Sequence, residues 1–247
     1  MIEEDKFSIK NKEFLKNRVY YEKIPKHVLL LPDGGRRFGY KKGLTDMEIY
    51  DIGQKVCQDF AEVCINEFCM DIVTIFFLRP SSFNKQRRTE KNLKAILIAI
   101  NKFAKNVLEG KTDINPSEVW VNSISLAGKE WMAKPERIQK SQELSKLWNE
   151  LKKTMNELKS KGKKKKKIIF LLNYSGKKEI DEALKKGGIQ IPEQIGLAIR
   201  TGDGMRLSDC PLYALSGSHF YLIPKFLPEV SKEDFRNVLN KFYEKTK

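Results

Sequence analysis

The sequence is short of several things, and each shortage excludes a class of protein. It has four cysteines and two histidines in 247 residues. Cys57, Cys64, Cys69 and Cys210 form no Cys-x-x-Cys pair, and no nearby histidine completes a zinc spacing. A disulfide scaffold and a zinc module are therefore excluded, and the cysteines read as small buried hydrophobes in a reducing compartment. The longest apolar runs, such as residues 168–172, are far too short to span a bilayer. The charged first 16 residues lack the apolar core of a signal peptide, so the expectation is a cytoplasmic protein. There is no internal repeat, and the one low-complexity segment is a lysine run. Acid is also scarce: 32 Asp+Glu face 47 Lys+Arg, a net charge of +15.

What is present is enough for a folded chain. A hydrophobic fraction of 40% and an aromatic fraction of 10% argue against disorder, and the length can bury a substantial core. The positive excess asks for an anionic partner: nucleic acid, a membrane surface or an anionic substrate. Much of it is local. Residues 152–167 hold nine lysines and one acid, Glu157, which leaves +7 on the other 231 residues. No aromatic interrupts the lysines at 163–167, as a nucleic-acid platform would require, so nucleic acid is not an expected partner. The run reads as a solvated patch with scope for peripheral contact with an anionic membrane.

Periodicity gives alternating elements. Residues 1–23 form a polar extension, and residues 24–247 form one domain with a basic linker at 161–167. Strands are expected at 27–31, 71–78, 117–126, 168–172 and 195–199, where runs are apolar, β-branched or aromatic. Helices are expected at 48–68, 89–108, 134–160, 177–186 and 231–243. The last opens on a capping-box pattern, Ser231 to Asp234, with Asp in place of Glu. Alternation of this kind predicts an α/β fold: a central, mostly parallel sheet flanked by helices. Ligands of such sheets bind beyond the carboxyl ends of the strands, where the motifs at 33–37, 79–85 and 200–209 would converge.

Two of these motifs are chemically suggestive. Asp33-Gly34-Gly35-Arg36-Arg37 follows a strand; its glycines allow backbone N–H groups to approach an anion, and its arginines match phosphate oxygens. Asp33 is odd in an anion site unless a Mg²⁺ ion is shared between carboxylate and diphosphate. The segment 200–209 places Arg200, Arg206 and Ser208 around a Gly-x-Gly turn, a set of donors suited to a second anion. An Asp-Gly turn with solvated arginines and an ordinary surface loop are the plainer alternatives.

Together the segments resemble the cis-prenyltransferase family, of which the undecaprenyl diphosphate synthases are typical. The resemblance rests on His27-Val-Leu-Leu-Leu-Pro-Asp33-Gly-Gly-Arg-Arg37-Phe38, on Leu171-Leu-Asn173-Tyr174-Ser-Gly176, and on Arg200-Thr-Gly-Asp-Gly-Met-Arg206-Leu-Ser208-Asp209. It covers residues 24–243, and it implies the family's fold with an apolar tunnel between the helices at 48–68 and 89–108. It further implies prenyl diphosphate substrates, Mg²⁺ as cofactor, and a homodimer. On this resemblance Asp33 organises the metal, and Gly34, Gly35, Arg36, Arg37, Phe38 and Tyr50 surround the allylic diphosphate. Arg200, Arg206 and Ser208 hold the second diphosphate.

The departures from the family pattern matter too. Gly35 replaces an Asn, and Asp46 and Tyr50 fall near an Arg and a His that help hold the allylic diphosphate. Arg79 replaces a Ser, Ser82 an Asn, and Gly196 an Asp. His219 aligns with a metal-sharing Glu, which makes His219 a candidate ligand or catalytic group beside Asp33 and Arg37, or else a structural histidine. Only 25 residues separate Tyr174 from Arg200, which is short for the family. Phe77 stands where members making long products keep a small residue, which favours a short product, and the altered sites are similar to those of the irregular, lavandulyl-type branch. A terpene synthase acting on one prenyl diphosphate, a long-chain synthase and a non-catalytic partner subunit are the competing readings.

Overall fold

The computed structural model describes residues 26–124, 135–161, 165–186, 188, 191 and 193–245. The extension expected at residues 1–23 and the middle of the lysine run lie outside this set.

The core of the fold is a sheet of six strands: β1 (His27–Leu31), β2 (Ile72–Leu78), β3 (Val119–Ile124), β4 (Lys166–Leu172), β5 (Leu197–Thr201) and β6 (His219–Ile223). Their order is β3-β4-β2-β1-β5-β6, and every pairing is parallel. All of β1 is buried, as is β4 from Ile168 onward, because helices cover both faces of the sheet. β6 was not expected from sequence. Its residues are mostly half-exposed along an edge, so it lacks the continuous apolar run that marks a central strand.

The helices are α1 (Gly35–Lys41), α2 (Asp46–Glu62), α3 (Glu90–Leu108), α4 (Glu136–Gln139), α5 (Gln142–Lys161), α6 (Gly176–Lys186) and α7 (Lys232–Lys245). Local chemistry fixes their starts. Thr45 and Glu48 form a capping box on α2, and the Thr89 hydroxyl accepts from the Asn92 N–H at 3.1 Å on α3. The box expected at Ser231 is present, with the Asp234 N–H donating to Ser231 Oγ at 3.3 Å and the Ser231 N–H to Asp234 Oδ2 at 2.9 Å. α2 ends in a π-helical turn, Val63–Glu67. The helix expected over 134–160 is instead two, broken at Lys140–Ser141.

One correction concerns the basic linker. Lys166 and Lys167 belong to β4, where their stems can lie along the sheet while their ammonium groups find acceptors. The Lys166 ammonium donates to the carbonyls of Ile65 (3.0 Å) and Met70 (3.3 Å), closing the end of the π turn, and Lys167 pairs with Glu193.

Adjacent phenylalanines divide between the two faces of β2, as strand alternation requires. Phe76 packs with Tyr174 in the core that includes Leu29, Ile195 and Ala198; Phe77 packs on the larger core shared by α2, α3, α5 and α7. Of the cysteines, Cys57, Cys64 and Cys210 are buried, but Cys69 is exposed in a left-handed turn (φ 52°). Among the described residues no helix is long and apolar enough to cross a membrane.

Candidate active site

The chain leaves β1 towards β2 on one side, and β5 lies on the other side of β1, continuing away to β6. The crevice beyond the carboxyl ends of β1 and β5 is thus a topological switch point, the usual ligand position in open parallel sheets. Asp33 and Arg200 come from its two walls. Thr201 locks the walls together: its hydroxyl accepts from the Asp33 N–H at 2.8 Å and lies 3.0 Å from the Asp33 carbonyl.

Asp33 stands between two arginines. Its Oδ2 accepts from Arg200, whose side chain is 4% exposed, and its Oδ1 lies 3.3 Å from Arg37 Nη2. Oδ1 also accepts from the Gly34 N–H at 2.7 Å. Gly34 has φ +88° and lies under the Phe226 ring; a Cβ there would come within 2.3 Å of that ring, so glycine is required twice over. Arg200 also donates to the Arg206 carbonyl (2.6 Å) and to Ser208 Oγ (3.0 Å). Burial lowers the Arg200 pKa, and the Asp33 charge opposes that shift. Arg37 goes the other way: its pKa is raised, first by a hydrogen bond to Asp203.

Beside this cluster a cavity of about 320 Å³ opens between α2 and α3. Its mouth is cationic and polar, with Arg36, Arg37, Arg87, Arg88, Tyr40 and Tyr50 around Asp33. Its depth is apolar, with Ile49, Cys57, Phe77, Ile96, Ala99 and Ile100. Burial pushes the Cys57 thiol up to about 12, so it lines the wall as a neutral group. Phe77 forms part of the floor. Its ring stands edge-on to Phe170 at 5.1 Å, and Phe170 in turn packs on Phe103 at 5.1 Å.

The structure therefore brings together most of the residues singled out from sequence. Asp33, Gly34, Gly35, Arg36, Arg37, Tyr50 and Phe77 line the cavity. Arg200 and Ser208 join them through Asp33, while Arg206 is exposed on the loop after β5. Phe38 and Arg79 do not line the cavity. Arg79 closes β2, its N–H donating to Ser82 Oγ at 3.3 Å. His219 is not brought here at all. It opens β6 in register with Leu197, at the amino end of the sheet, exposed and edge-on to the Phe242 ring at 5.3 Å. The strand that follows His219 runs toward the site, and at about 3.3 Å per residue it separates the two by its whole length. His219 thus has no place beside Asp33 within this chain. His27, the other histidine, is buried between the Glu193 carbonyl (3.1 Å) and the Thr74 hydroxyl (2.8 Å), and burial lowers its pKa to about 4.

Two arginines at the mouth were missed. Arg88 donates to the Tyr50 hydroxyl at 2.6 Å, and its buried Nε has no partner. Arg36 donates to the Arg87 carbonyl at 3.0 Å. The pair precedes the Thr89 cap of α3, so a basic dipeptide at a helix start near the strand-end motif was the available signal. Phe226 was missed as well; no local pattern marks a ring that will cover Gly34 and sit under Arg37.

Comparison with known proteins settles the family. The family model described as putative undecaprenyl diphosphate synthase matches residues 31–247. The chain belongs to this cis-prenyltransferase family. The tritrans,polycis-undecaprenyl-diphosphate synthase (geranylgeranyl-diphosphate specific) of Pyrococcus horikoshii is 24% identical over 231 residues, spanning 89% of this chain and 84% of that one. The isoprenyl transferase of Aquifex pyrophilus is 26% identical over 239 residues, spanning 89% and 93%. In fold, this cis-prenyltransferase is similar to lavandulyl diphosphate synthase from Lavandula x intermedia, solved with dimethylallyl diphosphate (TM-score 0.68, 20% identity, 89% and 95% covered). It is also similar to a probable undecaprenyl diphosphate synthase from Campylobacter jejuni (TM-score 0.61, 17% identity, 88% and 94% covered). The chain is a prenyl diphosphate synthase of the cis-prenyltransferase type.

Proposed function

We propose that this enzyme condenses a short allylic diphosphate (dimethylallyl, geranyl or farnesyl) with isopentenyl diphosphate or a second allylic diphosphate, and that its product is short or irregular. The observation that carries the reading is the joining of Asp33, Arg37 and Arg200 beside a cavity whose apolar lining includes Phe77. The bulky Phe77 ring in the cavity lining takes space that a long tail would need.

Arg36, Arg37 and the Gly34–Gly35 backbone receive the allylic diphosphate, and Arg87 and Arg88 add charge on the far side of the mouth. When the allylic C–O bond breaks, diphosphate leaves with the electron pair, and these cations stabilise the growing negative charge. Arg200, Ser208 and Arg206 hold the second diphosphate so that its alkene faces the allylic cation. The new C–C bond forms, and the departed diphosphate takes the proton lost from the adjacent carbon. The apolar wall around Phe77 and Ile100 keeps water from the cation and orients the tail.

The donor set suits Mg²⁺ rather than a transition metal. Among the described residues no three His, Cys, Asp or Glu side chains are grouped as a metal site, so the protein supplies Asp33 and the diphosphate oxygens must supply the rest, an arrangement common for Mg²⁺. Bound there, Mg²⁺ would supply Lewis-acid stabilisation of the leaving diphosphate.

A homodimer is part of the proposal, supported by the half-exposed edge strand β6 and by exposed Met205, Leu207 and Tyr213 on the loop after β5. Contact with an anionic membrane is supported only by the lysine run of the sequence, because the Lys166 and Lys167 ammonium groups already face carbonyls and Glu193. The test is turnover. Purified enzyme with Mg²⁺ receives dimethylallyl, geranyl or farnesyl diphosphate, each with and without isopentenyl diphosphate, and products are identified by mass spectrometry. The expected product is one five-carbon unit longer than the allylic substrate supplied. A long polyprenyl product would refute the short-product reading, and no turnover in any combination would refute synthase activity for this chain.

A further inference from the structure

Asp203 puts a negative charge where the site is built to receive one. Both its carboxylate oxygens accept from Arg37 Nη1, while Arg37 Nη2 faces Asp33 at 3.3 Å. The guanidinium that should take diphosphate oxygens is therefore shared between two carboxylates. It is also positioned from a third side, with its carbon 5.2 Å from the Phe226 ring centroid.

The segment carrying Asp203 is hinged. Gly202 fixes its root: φ is +102°, and its N–H donates to the carbonyls of Ile223 (3.2 Å) and Lys225 (2.7 Å). Gly202 also touches the site, since a Cβ there would lie 3.4 Å from Asp33 Cβ and 3.6 Å from Arg37 Nη2. The Arg206 carbonyl, bonded to Arg200, fixes the other end. Between these anchors Asp203 and Met205 are exposed and flank Gly204. A rotation at the tip can withdraw the carboxylate without disturbing either anchor.

We propose that Asp203 is a displaceable carboxylate that fills the Arg37 arm of the diphosphate site in the free enzyme and is expelled by the incoming diphosphate. The inference rests on the diphosphate reading above. A multiply charged anion and a carboxylate repel each other across one guanidinium, so the ligand must displace Asp203 to use Arg37. Arg206 and Ser208 lie on the same segment, so expulsion at the first site reaches the residues of the second. Asp203 thereby sets how strongly a substrate must hold Arg37 before the second site is rearranged.

The test uses inorganic pyrophosphate as probe and calorimetry as readout, first in Mg²⁺-free buffer and then with Mg²⁺. The proteins are the full chain, Asp203→Asn, Arg37→Ala and the double variant, each checked for an unchanged melting profile. An exposed ion pair is modest in strength, so Asp203→Asn is expected to tighten pyrophosphate on the order of two- to fivefold without Mg²⁺. The gain should vanish in the Arg37→Ala background. If the wild type binds and Asp203→Asn binds equally or more weakly, the displacement idea fails while the diphosphate site stands. Weakening confined to the Mg²⁺ buffer overturns it in favour of a metal-holding role for Asp203. If no folded variant binds pyrophosphate in either buffer, the site reading fails and the inference falls with it.

Discussion

Replacing Asp33 by Ala should do more than stop turnover; it should also weaken the fold, by an amount that the geometry sets. The Asp33 carboxylate accepts from Arg200, Arg37 and the Gly34 N–H. Arg200 is almost wholly enclosed, its Nε has no partner, and its remaining acceptors are the neutral Arg206 carbonyl and Ser208 hydroxyl. Removing Asp33 therefore leaves an enclosed guanidinium with no counter-charge. Breaking a fully buried pair costs about 3–5 kcal/mol, but Asp33 is 32% exposed and water can enter, so a cost of about 1.5–3 kcal/mol is expected. In a chain of this size each kcal/mol lowers Tm by about 2–4 °C, which gives a fall of about 3–12 °C. Scanning calorimetry of Asp33→Ala, Arg200→Gln and the double variant measures it. The double variant should lose less than the two singles together, because the second substitution removes the charge that the first stranded. Asp33→Asn, which keeps a neutral acceptor for Arg200, should recover much of the stability while remaining inactive. A melting point for Asp33→Ala within about 1 °C of wild type, with additive costs, would show that Asp33 does not hold Arg200.

Two further outcomes are expected. Phe77→Ala opens the cavity floor towards Phe170, so products should gain at least one five-carbon unit in mass spectra at a stability cost of about 1–3 kcal/mol, and an unchanged product pattern would remove Phe77 as the stop. His27 has a folded pKa of about 4, below its unfolded value near 6.5, so the stability it contributes is full above pH 6.5 and is lost as pH falls towards 4; the loss amounts to about 3 kcal/mol, seen in urea midpoints, and a His27 ring proton titrating near pH 6.5 by NMR would contradict it.

Particular residues show how much could be read in advance. Asp33 and Arg200 were identified because each follows an apolar run and is embedded in a pattern specific to the family. Phe76 and Phe77 lie on opposite faces of β2, as strand alternation requires of neighbours. His219 is not beside Asp33 within this chain: alignment gives a position in a string, whereas its place depends on which end of β6 it occupies. Arg88 was overlooked because its partner, Tyr50, is 38 residues away, and only the packing of α2 against α3 brings them to 2.6 Å. Lys166 and Lys167 were grouped with a linker because charge hides a strand when the ammonium groups reach back to carbonyls and a carboxylate.

The sequence by itself determined the local and periodic features: the parallel α/β alternation, the cap at Ser231, and the two anion motifs. These depend on residues close in the chain, whose side chains bond their own backbone or repeat with the period of a helix or strand. The tertiary structure alone decided that Asp33 bridges Arg37 and Arg200, that Asp203 occupies Arg37, and that Phe77 lines the cavity. Each of those depends on the order of strands across the switch point and on the gap left between two helices, quantities that exist only once distant segments have packed.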